Sequence, residues 1–323
     1  MYSFQQVQEI VSRKFEELTI GNEPSGLYDP IRYILSGQGK RIRPTLLIMA
    51  ANLYLENPEI AIEPALGLEI FHNFTLIHDD IMDNADKRRN KPTVHNKWDI
   101  NTAILSGDAM LIKAYQFLHQ YEGVNASLVY RLFNQSALEV CEGQQYDMEY
   151  ERIKSVSEEE YLQMIELKTS VLLACSLKMG ALIGNAPRKE SEALYDFGRF
   201  LGIAFQLQDD FLDAFGDTEV FGKKIGGDIL ENKKTILLIQ ALKKADKEQK
   251  SNLVDLLENE SDEERKINRV IDIYKELDIP QSTENLIRDY YDKALNAFNT
   301  LDKTEEEKES LRFVAEKLFQ RIH

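Results

Sequence analysis

Only two cysteines occur in 323 residues. Cys141 and Cys175 each lie in an apolar stretch with no partner at metal-ligand spacing, so a disulfide framework and a cysteine zinc site are excluded. They read as small core residues of a cytoplasmic protein. Positive charge is also scarce: the formal net charge is −16, which argues against a nucleic-acid partner, because neutralising phosphates takes a surplus of lysine and arginine. A local basic site is still allowed. No eighteen uncharged apolar residues run together; the richest stretch, SVLLACSLKMGALIGNAP, is broken by Lys178 and ends at Pro187, so no transmembrane segment is expected. The opening MYSFQQVQEIVSRKFEEL has no basic-then-apolar layout and reads as an amphipathic helix. Alternating β-branched strands, a proline- or glycine-rich linker and an internal repeat are missing too, which points to one domain over 1–323.

What is present is apolar spacing of three and four, which predicts an all-α fold. Helices are expected near 3–20, 27–37, 43–56, 61–83, 99–121, 124–147, 158–183, 190–215, 233–246, 249–258, 262–277, 280–300 and 304–321. Two starts carry their own signal. Ser157 can cap a helix with Glu160 reaching back from three residues on, and Thr304 precedes Glu305, Glu306 and Glu307 in the same way. The charged stretch 246–269 reads as a solvated face with its loops.

Two carboxylate clusters share the spacing DDxxD: Asp79, Asp80 and Asp83, then Asp209, Asp210 and Asp213, each after a mostly apolar helical lead-in. At about 100° per residue, the first and last aspartates of each cluster lie about 40° apart on a helix, with the middle one on their flank. One such cluster could be chance in an acidic chain. Two beside apolar surface need a reason, since grouped carboxylates repel unless cations compensate. Oxygen ligands of this kind suit Mg²⁺, which keeps waters and binds through carboxylates together with substrate phosphates. A diphosphate substrate follows.

Cationic groups flank both clusters. GKRIRP supplies Lys40, Arg41 and Arg43, and RRNKPTVH supplies Arg88 and Arg89. Guanidinium forks pair with phosphate oxygens, and lysine acts as a point charge. Lys168 falls on one helical stripe with Tyr161, Ile165 and Leu172, an ammonium group on an otherwise inward face, and Gln206 shares a face with Asp210 and Asp213. GKKIGGDILENKKT adds Lys223, Lys224, Lys233 and Lys234 on a glycine-bearing loop able to close over phosphate. Each of these taken alone is equally a surface base or a salt-bridge partner.

In this order, GKRIRP, EIFHNFTLIHDDIMD, RRNKPTVH, GDAML, Lys168-Thr169, FQLQDDFLD and GKKIGGDILENKKT resemble the trans-prenyl diphosphate synthases, or polyprenyl synthetases, over most of the chain. The resemblance implies the prenyl (terpenoid) synthase fold, a helical bundle around a deep cavity, usually as a homodimer. It implies head-to-tail joining of isopentenyl diphosphate to an allylic diphosphate. By similarity, Asp79, Asp80, Asp83, Asp209, Asp210 and Asp213 would hold Mg²⁺, three ions in all, with Mn²⁺ as a substitute. Arg88, Lys168, Lys223 and Lys233 would grip the allylic diphosphate, and Lys40, Arg43, His72 and Arg89 the isopentenyl diphosphate. Thr169 and Gln206 would lie near the reacting carbons.

Asn90 stands where most relatives carry glycine, and the ending LFQRIH lacks a strongly basic tail, so Arg321 receives no role. Phe74 lies five residues before Asp79, about 7.5 Å back along the helix. In the family, an aromatic there stops growth at fifteen or twenty carbons; Thr75 is small and the first motif has no two-residue insertion, a combination resembling some geranylgeranyl diphosphate synthases within the short-chain farnesyl and geranylgeranyl group. Alternatives are a longer-chain synthase, a terpene cyclase, which generally has a different second metal motif and no basic pocket, and a non-catalytic partner subunit.

Overall fold

Helices begin where the sequence offers an acceptor to the first amide groups. Ser3 caps the first helix with Gln6 reaching back, and Ser157 with Glu160, Asp246 with Gln249 and Thr304 with Glu307 repeat the reciprocal pattern. The computed structural model describes residues 1–37, 39–216 and 225–319. In chain order the helices are α1 (Phe4–Glu16), α2 (Ser25–Leu35), α3 (Ile42–Asn52), α4 (Ile62–Met82), α5 (Val94–Lys97), α6 (Ile100–Leu118), α7 (Ala126–Arg152) and α8 (Glu158–Ile165). They continue with α9 (Val171–Ile183), α10 (Arg188–Phe215), α11 (Gly227–Leu230), α12 (Ile236–Lys244), α13 (Lys247–Asn259), α14 (Glu263–Glu276), α15 (Ile279–Asn299) and α16 (Glu305–Phe319). Every expected helix has its counterpart, and the all-α class holds.

Several local features differ from the expectation. A ribbon pairs β1 (Lys87–Arg88) with β2 (Lys91–Pro92) around a two-residue turn, in which Arg89 and Asn90 have φ of 53° and 62°. Positive φ at both central residues matches the twist of a tight hairpin, and asparagine accepts that conformation in the place of glycine. The expected helix over 158–183 is interrupted by a π-helical segment, Glu166–Ser170. Two glycines make room for it: a Cβ on Gly143 of α7 would lie 2.2 Å from the Lys168 amide nitrogen, and one on Gly202 of α10 would lie 2.7 Å from the Ser170 Cα. Finally, Cys175 is buried but Cys141 is exposed, because it falls on the outward face of α7.

The chain divides into two compact units, each discontinuous in sequence. The first comprises 1–135, 175–195 and 302–314. Its core includes Leu68, Ile70, Phe71 and Ile77 of α4, packed on α6 so closely that a Cβ on Gly67 would sit 2.9 Å from the Ala114 carbonyl. Residues 59–82, which include α4, are long and apolar enough to cross a membrane by length and composition, and 67% of their most apolar window is buried inside the protein. The second unit comprises 136–174, 196–301 and 315–323. Tyr161, Ile165, Leu207, Phe211, Ile236, Leu253, Val270 and Ile287 form its core. The charged stretch 246–269 is less solvated than expected, since Leu253, Leu257 and Lys266 are buried.

Candidate active site

In the first unit, α4 carries Asp79, Asp80 and Asp83 at its C-terminal end. Asp80 is 1% exposed, Asp79 is half-buried, and Asp83 is exposed at the C-cap, so only two of the three point away from water. The ribbon brings Arg88 back onto them: its Nε donates to Asp80 Oδ1 at 2.6 Å and its Nη2 to Asp79 Oδ2 at 3.3 Å. Burial pushes the Asp80 carboxyl up, while Arg88 pulls it back. Its other oxygen, Oδ2, is buried without a hydrogen-bond partner among the described residues. A buried carboxylate oxygen with nothing to bind is costly, and a hard cation is the kind of group that would satisfy it.

A cationic group gathers beside α3 and α4. Arg43 Nη1 lies 3.1 Å from His72 Nε2, and its Nε is buried without a partner among the described residues. Burial, then Arg43, Arg89 and Arg88, hold His72 well below its ordinary pKa, so it is neutral. Glu69, 4% exposed and bonded by Asn73, lies within the fields of Arg43, Arg89 and Arg41. Arg41 is committed elsewhere, over the Phe15 ring and onto the carbonyls of Ser12 and Leu35. Lys40 and Arg89 are exposed. Phe74 is 9% exposed and packs edge-on against His78 and at a tilt against Phe71, while the Thr75 hydroxyl donates back to the His72 carbonyl at 2.8 Å.

In the second unit, a cavity of about 420 Å³ is lined by Lys168, Thr169, Gln206, Asp209, Asp210, Asp213 and Lys233, together with Asp147, Asp228 and Lys234. Asp210 is buried and held by neutral donors: the Tyr161 hydroxyl on Oδ2 and Gln206 Nε2 on Oδ1 at 3.2 Å. Thr169 Oγ1 donates to Gln206 Oε1 at 3.3 Å, which completes a chain from the π segment to the aspartate. Desolvation, with Asp228 next, pushes Asp210 up to about 8; desolvation and then Asp213 push Asp228 up to about 6. Asp213 Oδ2 accepts the Asp228 amide at 3.0 Å. Lys168 pairs with Asp147 at 2.6 Å, and Lys233 with Glu231 at 2.9 Å and Asp228 at 3.8 Å. Lys223 and Lys224 lie outside the described residues. Among the described residues no three acidic, histidine or cysteine groups close into a metal cage. Mg²⁺ does not need one, since it takes one or two carboxylates and fills its octahedron with water and phosphate oxygens.

Against known proteins, the sequence profile of the family described as Polyprenyl synthetase matches residues 24–274. The chain belongs to the polyprenyl synthetase family. It is 44% identical over 236 residues to a geranylgeranyl diphosphate synthase of Methanosarcina mazei, covering 72% of this chain and 73% of that one. It is 40% identical over 270 residues to a short chain isoprenyl diphosphate synthase of Methanocaldococcus jannaschii, covering 83% and 82%. A solved geranylgeranyl pyrophosphate synthase structure superposes with a TM-score of 0.94 at 43% identity over 99% of both chains. This polyprenyl synthetase is accordingly a prenyltransferase that joins isopentenyl diphosphate head-to-tail to an allylic diphosphate, in a family that generally uses Mg²⁺.

Four residues of these two sites received no role from the sequence, although Glu69 and Asp228 lie inside quoted motifs and Tyr161 on the Lys168 stripe. Asp147 and Asp228 reach the cavity from α7 and α11, and Tyr161 donates to an aspartate 49 residues away. Glu69 was the most accessible to sequence reasoning, as an acid three residues before His72 within the apolar stretch that leads into the first cluster.

Proposed function

We propose that this polyprenyl synthetase makes a geranylgeranyl or farnesyl diphosphate, of fifteen to twenty carbons, and that 1–323 act as a single polyprenyl synthetase domain. The observation that carries the reading is the cavity of the second unit, where Asp209, Asp210 and Asp213 line one space with Lys168 and Lys233. Carboxylates and ammonium groups in one cavity fit a substrate that is itself a metal–anion complex. Support for the product range comes from Phe74, buried beneath the first cluster with aromatic neighbours, and from the relatives' products. The interleaving of both units in sequence supports the single domain.

In this reading Asp79, Asp80 and Asp83, with Asp209, Asp210 and Asp213, hold three Mg²⁺ ions, which Mn²⁺ can replace. Held there, such ions would supply positive charge for the diphosphate leaving group. Arg88, Lys168, Lys223 and Lys233 take the same leaving group by its oxygens. Lys40, Arg43, His72 and Arg89 hold isopentenyl diphosphate; the unsatisfied Arg43 Nε and the neutral His72 suit an anion that has yet to arrive. Oxygens of Thr169 and Gln206 face the cationic carbon, and Met164, Ile165 and Leu212 on the cavity wall exclude water that would quench it. The protein is a cytoplasmic homodimer; α6 leaves Ile104, Leu105 and Ile112 exposed at 42%, 60% and 61%, an apolar face suited to a second copy.

The test is direct. Purified protein is incubated with Mg²⁺, isopentenyl diphosphate and, separately, dimethylallyl, geranyl or farnesyl diphosphate, and the dephosphorylated alcohols are chromatographed. Linear alcohols of fifteen to twenty carbons are expected. Longer alcohols would move the assignment to a long-chain synthase, and cyclic hydrocarbons would replace it with a cyclase. No metal-dependent product from any starter would overturn the reading.

A further inference from the structure

Lys266 is a lysine with an unusual position. It lies on α14, outside the cavity, and is only 6% exposed. Among the described residues it has no carboxylate in ion-pairing range. Its ammonium donates instead to the Leu257 carbonyl at 2.7 Å and to Asn232 Oδ1 at 2.8 Å. Burying a cation on neutral acceptors alone is expensive, and burial lowers its pKa accordingly. Such a group calls for a purpose beyond packing.

Asn232 ends α11. Its φ is 56°, its amide donates to the Ile229 carbonyl at 3.2 Å, and the next amide, Lys233, donates to the Asp228 carbonyl at 2.9 Å. These two bonds are the pair that closes a helix with a left-handed residue just past its cap. Glycine would adopt that backbone at least as easily but would offer no oxygen. The turn sends the chain back so that Lys233, Lys234 and Thr235 line the cavity, with Asp228 on the helix it closes. The same α14 supports the other end of the loop: a Cβ on Gly226 would lie 2.7 Å from Ile267.

We infer that Lys266 is a positioning residue for diphosphate binding: through the Asn232 side chain it fixes the turn that presents Lys233 and Lys234 to the cavity. The inference rests on the reading of that cavity as a diphosphate site. Held in this way, the two lysines meet the anion already ordered, and the entropy of fixing the loop is not charged to binding.

The experiment uses the full chain with Mg²⁺ and inorganic diphosphate as the probe, measured by calorimetry, alongside amide hydrogen exchange over 228–235. Lys266→Met and Asn232→Gly should each weaken diphosphate binding about tenfold and speed exchange of the Asn232 and Lys233 amides. Their combination should weaken it no further than either alone, since both remove one contact. Asn232→Asp, which keeps an acceptor and tolerates the turn, should bind as the parent does. Parent-like binding or exchange in Asn232→Gly overturns the inference, as do additive losses in the double variant. Should Lys266→Met fail to fold, the contrast between Asn232→Gly and Asn232→Asp decides alone. A parent protein that binds no diphosphate overturns it as well, whereas one that binds diphosphate but turns over no prenyl substrate overturns only the proposed reaction.

Discussion

The two DDxxD clusters have the same spacing and different hydrogen-bond partners. Asp80, in the first, shares its helix end with a guanidinium that bonds it and Asp79 together. Asp210, the residue at the same place in the second, has a phenol and an amide as donors and other aspartates as neighbours. The central aspartate of the first is bonded by a cation of the protein; that of the second is bonded by neutral groups. Identical motifs therefore do not imply identical protonation: burial raises both central aspartates, Asp210 to about 8, but at Asp80 the Arg88 guanidinium offsets part of the rise.

The largest effect should come from removing either cluster's leading carboxylate. Asp79→Ala and Asp209→Ala are each expected to lower kcat/KM about a thousandfold, as loss of a group that stabilises transition-state charge does; near-parent turnover in one would show that only the other cluster is needed. Next, Phe74→Ala should lengthen the product in alcohol chromatography and cost about 3 kcal/mol of folding free energy in urea melts. An unchanged product from a folded, active variant would deny the first cluster its measuring role. Gly143→Ala should cost a further variant about 3 kcal/mol, because its Cβ meets backbone in the π segment and backbone cannot swing aside.

The neutral variants sharpen the comparison most. Asp80→Asn removes the charge that Arg88 is bonded to and should destabilise the fold by about 2 kcal/mol at pH 7, whereas Asp210→Asn keeps the Gln206 bond on its carbonyl oxygen, lets the Tyr161 hydroxyl turn to accept from its amide, and should stay within about 1 kcal/mol of the parent. Equal losses would erase the distinction. The smallest effect is a slope with pH. Asp210 near 8 and Asp228 near 6 lie above their unfolded values, near 4. From about pH 4 to about pH 8 the unfolded chain has released protons that the folded chain retains. Their contribution to stability is complete at the acid end and declines as pH rises. Melting temperatures in chelator should show this decline, Asp210→Asn should flatten it, and added Mg²⁺ should stabilise more at pH 8 than at pH 6, because it binds the ionised form.

Much of this was legible in the sequence, for local reasons. Helix starts were readable at Ser157 and Thr304 because the capping partner is three residues away. Both aspartate clusters were readable because helical geometry alone puts their members on one face. Asp147, Asp228 and the Tyr161 hydroxyl were not, since what makes them part of a site is a partner brought by the fold from another helix. The stretch 246–269 misled for the complementary reason: its charge density is that of a surface, and nothing in it marks Lys266 as the one turned inward. Asn90 shows the reverse, a departure from the family pattern that the backbone accommodates with φ of 62°.

The π segment bears on how this chain can change over time. A π turn carries one residue more than the α turn it replaces, so residues 166–170 amount to an insertion absorbed inside a helix. Point substitutions there alter a side chain and leave the phase intact. Loss of a single codon would instead let the segment close into an ordinary α-helix with both flanks still in phase, while the residues left inside the turn moved to new faces. Lys168 and Thr169 would then leave the cavity while the segment remained a well-formed helix, so the loss would register as an ordinary gap between two aligned and stable proteins, only one of which keeps its site.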